Sequence, residues 1–407
     1  MEKEAVRIAM KTFSNYDFHM YTEIVFGKDT ENRVADLIRK YKGTKVMFVY
    51  GSGSIKKSGL YDRVVDALNK GGLPFIEFGG VKPNPLRSKV EEGIKAANDF
   101  GADFFLGVGG GSTIDTAKAI ALAIANDGEY WPYYQGVEPK KMASVGTINT
   151  IAAAGSETSR SSVLVDDIET GRKEGFLWYP CRPCFAIMNP ELMYTLPPYQ
   201  TAAGAADIFS HTYFRFFHTD SCYLGDEYGI GTFRTVVKFA PIAVADPNNY
   251  EARAELMASA AFSHNDLTGI GKSSGQGGGE HALEQQLSGY YDTAHGAGLA
   301  VMMPALLEYI VKYGSAEKVE KIAYFAVRVF DVEPDADNPR KVAEEGIARF
   351  RAWIKAIGMP ITLSELGVPE ADVPAAIDRC VQGVGGKISG YVDIDADGMA
   401  EIYNSVI

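Results

Sequence analysis

An α/β N-terminal domain on a parallel sheet, followed by an all-helical C-terminal domain, is the architecture this chain predicts. Three observations carry it. Between residues 45 and 190, short apolar runs that end at glycine or at a turn alternate with stretches of helical period. After Pro197-Pro198 the spacing becomes helical throughout. The 407 residues also exceed the size at which one core keeps growing, so two domains are expected, 1–198 and 199–407.

Taken in order, residues 45–50 form an apolar run ending at Gly51, 74–78 one ending at Gly79, and 103–108 one ending at Gly109. Runs 144–148 and 185–188 follow. Residues 60–70 and 90–99 repeat their apolar positions at helical spacing. Strands apolar on both faces and alternating with helices imply a doubly wound parallel sheet. The second half reads as helices over 199–217, 224–243, 250–264, 279–288, 298–313, 316–330 and 339–357. A polar turn at 331–338 and a glycine-rich loop at 383–390 interrupt it.

Hydrophobic residues make up 46% of the chain and charged ones 23%, which is ordinary for a globular protein and excludes a disordered class. The net charge of -12 argues against nucleic acid or an anionic membrane as partner. No apolar run approaches the roughly 20 residues of a membrane span. The opening residues Met1 to Arg7 lack a signal-peptide core, so a cytoplasmic protein is expected. Cys181 and Cys184 form a Cys-x-x-Cys with no second pair, so reduced thiols of local packing value are expected.

Gly109-Gly110-Gly111-Ser112 follows a predicted strand and opens a predicted helix. Glycines allow close backbone approach, and N–H groups at a helix start point at a phosphate; Ser112 or Thr113 could cap it. The spacing is not that of G-x-G-x-x-G, so the ordinary Rossmann fingerprint is not met. A second loop, Gly51-Ser52-Gly53-Ser54, runs into Lys56 and Lys57 and suits a phosphate on an adenosine ribose. It has no acidic residue to hold ribose hydroxyls, which leaves Glu77, ending the second strand, as the acidic candidate. The expectation is therefore NADP(H) over NAD(H).

Three of the six histidines share a second pattern. Asp207 and His211 lie four apart, on one face of a predicted helix. His281 and His295 lie fourteen apart; one continuous helix would separate them by about 21 Å, so the chain must turn between them, with Ser288-Gly289 a plausible stop. One carboxylate and three imidazoles suit a divalent transition metal that keeps Lewis acidity. Singly, each has a plainer reading: Asp and His at i,i+4 make a surface pair, and a His before Gly caps a helix. His19, His218 and His264 have no such context and read as structural or surface residues.

Together these segments resemble the iron-containing, or group III, alcohol dehydrogenases, in the butanol dehydrogenase and NADP-dependent broad-specificity aldehyde reductase branch. The resemblance covers nearly the whole chain. It rests on the 50–57 loop, Pro83-Asn84-Pro85, the run Gly109 to Lys118 with its Asp115, and Thr150-Ile151-Ala152-Ala153-Ala154-Gly155-Ser156-Glu157. Asn189-Pro190, Leu196-Pro197 and the Asp207/His211/His281/His295 set complete it.

The resemblance implies a dehydroquinate synthase-like architecture with the active site in a cleft between the domains. It implies that the four residues bind one divalent metal, Fe2+ or Zn2+, and that Gly109, Gly110, Gly111 and Ser112 take the pyrophosphate. Thr150 and the stretch from Ala153 to Ser156 would line the nicotinamide, and Asp115 belongs to the same cofactor-binding run. The implied reaction is hydride transfer between NADP(H) and a small aldehyde or primary alcohol, in a homodimer.

Two departures stand out. The branch commonly has His-x-x-x-His at the third ligand, and the second position here is Gln285, which cannot carry a proton near neutral pH. Thr is common where Ala154 stands. The aromatic run 209–217 beside the ligands favours an apolar aldehyde. Alternatives on the same fold are a glycerol or glycerol-phosphate dehydrogenase, a dehydroquinate synthase-like lyase, or a metal- and nucleotide-binding relative without turnover.

Overall fold

A computed structural model describes residues 14–273 and 277–407; the reading of the opening residues Met1 to Arg7 lies outside them. Eight strands belong to the first part: β1 Glu23–Phe26, β2 Val46–Gly51, β3 Phe75–Val81, β4 Phe104–Gly109, β5 Ser144–Asn149, β6 Ser161–Val165, β7 Lys173–Leu177 and β8 Phe185–Met188. Its helices are α1 Val34–Lys40, α2 Ser54–Lys57, α3 Leu60–Lys70, α4 Arg87–Phe100, α5 Gly111–Ala125 and α6 Trp131–Tyr134.

Six of the strands form a parallel sheet in the order β1-β8-β5-β4-β2-β3. The strands are apolar on both faces because both faces are covered. Met47, Val49 and Phe105 pack against Val90 and Ile94 of α4 and the alanines of α5. Val46, Phe48 and Phe104 pack on the other side against Val34 and Ile38 of α1 and Leu60, Val64 and Leu68 of α3. The chain crosses from β3 at the edge past β2 to β4, so the winding direction reverses between β2 and β4. Loops leaving the C-terminal ends of the two strands at such a point frame a crevice for ligands.

The described chain divides into two compact units. One is His19–Leu196 together with Pro247–Asn265, which contributes α9, Tyr250–Ser263. The other comprises Pro197–Asp246 and Asp266–Ile407 with the described residues 14–18. Its helices are α7 Pro198–Phe216, α8 Tyr223–Ala245, α10 Glu280–Tyr291, α11 His295–Tyr313, α12 Ala316–Phe330, α13 Pro339–Ala356, α14 Leu363–Leu366, α15 Val373–Gly383 and α16 Ala396–Asn404. A two-residue antiparallel ladder, β9 Lys387–Ile388 and β10 Ile394–Asp395, follows a turn in the 383–390 loop.

Phe209 and Phe216 of α7, with Phe217 just beyond its end, lie in an aromatic core with Phe233, Phe325 and Phe350. The aromatic run, expected to favour an apolar aldehyde, is therefore mostly packing; Phe214 of this run has its ring centroid 6.0 Å from that of His281. Among the described residues no helix is long and apolar enough to cross a membrane.

Candidate metal centre and nucleotide loops

Asp207 and His211 sit one turn apart on α7, both buried, with His211 Nε2 3.4 Å from Asp207 Oδ1. His281 is the second residue of α10 and His295 the first of α11. The turn between them falls later than Ser288-Gly289: α10 runs on to Tyr291, and Asp292, in the left-handed region at φ 50°, redirects the chain. Leu287 and Ser288 are buried in the helix, and that packing carries it through Gly289.

The result is close. Ligand atoms of Asp207, His281 and His295 all lie within 4.8 Å of one another. His211 stands outside that triplet, with its ring centroid 4.9 Å from that of His281. Gly296 makes the approach of α11 to α7 possible, since a Cβ there would fall 1.9 Å from the backbone oxygen of Ala203.

The donor set fits a metal. Nδ1 of His281 donates to Glu280 Oε1 at 2.8 Å, while its Nε2 is buried with no hydrogen-bond partner among the described residues. An ionised carboxylate only accepts, so Nδ1 holds the proton and Nε2 keeps a lone pair. Burial disfavours the His281 imidazolium, but the Glu280 hydrogen bond and the charges of Glu280, Asp207 and Glu284 outweigh it and raise the pKa. His295 Nδ1 meets the Glu284 carboxylate in close contact.

Glu280 and Glu284 escaped the sequence reading. The signal was present as an acid directly before His281 and another three residues after it. Gln285 lies partly buried one turn beyond His281.

In the sheet unit, Gly109 ends β4 at φ 153°, where a Cβ would fall 2.7 Å from Thr113 Oγ1. Gly110 is the N-cap of α5 and no side chain caps it, so neither Ser112 nor Thr113 takes the capping role. The first-turn N–H groups of a helix have no intrahelical acceptors, which suits an anion. Thr150 donates its backbone N–H to Gly109 O at 3.1 Å, beside this loop.

The second loop leaves β2, the neighbour of β4. A Cβ on Gly51 would stand 3.9 Å from Thr113 Oγ1, which puts the two loops side by side. Ser52, Ser54, Lys56 and Lys57 are exposed. Glu77 falls within β3 rather than at its end, and both its oxygens accept tyrosine hydroxyls, Tyr50 at 2.9 Å and Tyr61 at 2.7 Å.

Asp115 and Ser156 come together, but on each other. Ser156 Oγ donates to Asp115 Oδ1 at 2.6 Å. Lys118 Nζ, fully buried, donates to the carbonyls of Ser156 and Ser161, both at 2.8 Å. Burial pushes the Asp115 carboxyl up despite the Lys118 charge, and pushes the Lys118 ammonium down. This cluster pins the 156–161 segment to α5.

The other histidines are accounted for locally. His264 Nδ1 donates to Ala154 O at 2.6 Å, His218 Nδ1 accepts the Asp220 N–H, and His19 packs on Tyr179. All four cysteines are free, and burial pushes Cys181 up to about 11 and Cys184 up to about 12, far from reactive thiolates.

Comparison with known proteins finds a match for each half of the chain. Residues 22–190 match the family described as iron-containing alcohol dehydrogenase, and residues 201–407 match its C-terminal family. The chain is 34% identical to NADH-dependent butanol dehydrogenase A of Clostridium acetobutylicum, over 96% of this chain and 98% of that protein. It is 31% identical to the NADPH-dependent aldehyde reductase YqhD of Escherichia coli, over 96% and 99%. The solved structure of NADH-dependent butanol dehydrogenase A from Thermotoga maritima is similar at a TM-score of 0.90 and 34% identity, covering 97% of this chain and 99% of that one.

Proposed function

This chain belongs to the iron-containing alcohol dehydrogenase family and is an alcohol dehydrogenase; from that premise we propose that it transfers hydride between NADP(H) and small aldehydes or primary alcohols at the Asp207–His211–His281–His295 centre. The observation that carries the reading is the Nε2 of His281, buried and without a hydrogen-bond partner among the described residues, in a residue that offers a ligand atom within 4.8 Å of those of Asp207 and His295. His211, beside Asp207 and His281, is proposed as the fourth ligand. A divalent ion held there, Fe2+ or Zn2+, would supply Lewis-acid polarisation of the substrate oxygen.

The remaining work falls to the chain. Gly109, Gly110, Gly111 and Ser112 would cradle the pyrophosphate at the start of α5, with Thr150 beside them. Asp115 and Ser156 shape the wall of that site through their mutual hydrogen bond. In the reducing direction the product oxygen needs a proton. Gln285 cannot give one near neutral pH, so solvent is proposed as the source.

NADP(H) preference is supported by the exposed hydroxyls and lysines of the 51–57 loop and by the engagement of Glu77 with two tyrosines. The names of the relatives point both ways, to NADH and to NADPH. A cytoplasmic homodimer is proposed, with no nucleic acid or membrane partner, in keeping with the charge of -12.

The experiment is a steady-state panel of short aldehydes, glyceraldehyde and glycerol phosphate with each cofactor. A kcat/KM higher for butyraldehyde with NADPH is expected. A higher value with NADH reverses the cofactor assignment, and bound metal and NADPH without turnover on any aldehyde leaves a binding protein.

A further inference from the structure

We propose that Glu280 and Glu284 are positioning residues of the metal centre, each holding the Nδ1 side of one histidine so that the opposite nitrogen is presented as a ligand. The inference rests on the metal-site reading above. The two carboxylates lie one helical turn apart on α10, which stacks them on one face. Both side chains are 0% exposed, whereas His281 and His295 are each 25% exposed. Buried carboxylates are costly without partners, so their placement behind two imidazoles needs a reason.

Each carboxylate takes one histidine. Glu280 Oε1 accepts from His281 Nδ1 at 2.8 Å, with Ser210 Oγ 3.5 Å from the same oxygen and 3.4 Å from the same nitrogen. Glu284 contacts Nδ1 of His295. Small residues leave them room: a Cβ on Gly278 would fall 2.3 Å from Glu280 Oε2, and one on Gly298 would fall 2.6 Å from Glu284 Oε1. A carboxylate on Nδ1 fixes the tautomer and the ring orientation and makes the other nitrogen a stronger donor.

The test is Co2+ binding to metal-stripped full-length protein, read by chelator competition and by the visible Co2+ spectrum, for wild type, Glu280→Gln, Glu284→Gln and the exposed control Glu345→Gln. Each site variant is expected to bind about 10- to 100-fold more weakly with an altered spectrum, while the control matches wild type. Where a Gln variant does not fold, the Asp variant, which keeps the charge but withdraws it by one methylene, is expected to show an intermediate loss. Wild-type affinity and spectrum in the site variants would overturn the inference and leave the metal site standing. A wild type that binds no Co2+ would overturn both.

Discussion

At His281, one imidazole nitrogen is held by Glu280 while the other has no partner among the described residues, an asymmetry that suits the second nitrogen to the proposed metal. A different burial effect acts at Glu157, which follows Ser156 in sequence. Burial pushes its carboxyl from the ordinary 4.5 up to about 7. Between those values the folded state holds more protons than the unfolded one, so stability falls as pH rises through the window and the full cost is present above about pH 7. Glu157→Gln should abolish this slope, with wild type losing on the order of 3 kcal/mol relative to the variant across the window in urea denaturation. Parallel stability curves would show the burial assignment to be wrong. At this scale the sequence singled out Asp207, His211, His281 and His295 as candidates because histidine is scarce in the chain. It did not disclose Glu280 and Glu284, since a glutamate on a helix reads as solvent-facing until its burial is known.

Helix placement is what brings residues so far apart in sequence together. Asp292 turns the chain after α10, and Gly296 lets α11 lie against α7. Gly296→Ala would set a methyl against a backbone oxygen that cannot rotate away. The expected cost is at the upper end of about 1–3 kcal/mol, together with weaker metal retention from displacement of His295. Unchanged denaturation and metal content would contradict this packing role. The strands at 46–51, 104–109 and 185–188 were legible as unbroken apolar runs, and most long helices through their apolar periodicity. β1 and the β6–β7 hairpin were not, being short or polar, and α15 has a proline near its start that reads as a break. The Ser288-Gly289 stop misled because packing of Leu287 and Ser288 outweighs the weak helix propensity of one glycine.

For the molecule as a whole, strand order decides what each unit can do. The reversal between β2 and β4 places the 51–54 and 109–112 loops at adjacent strand ends, which periodicity alone could not reveal because it says nothing of strand order. The helical unit supplies a carboxylate–imidazole centre, and the family match spans both units. The central claim is that turnover requires a metal at that centre. The most direct measurement strips the protein of metal, then titrates back Fe2+ or Zn2+ while following bound metal and NADPH-coupled butyraldehyde reduction on the same samples. Activity should be lost on stripping and should return in proportion to bound metal, saturating at one ion per chain. Undiminished activity in fully metal-free protein would contradict the account.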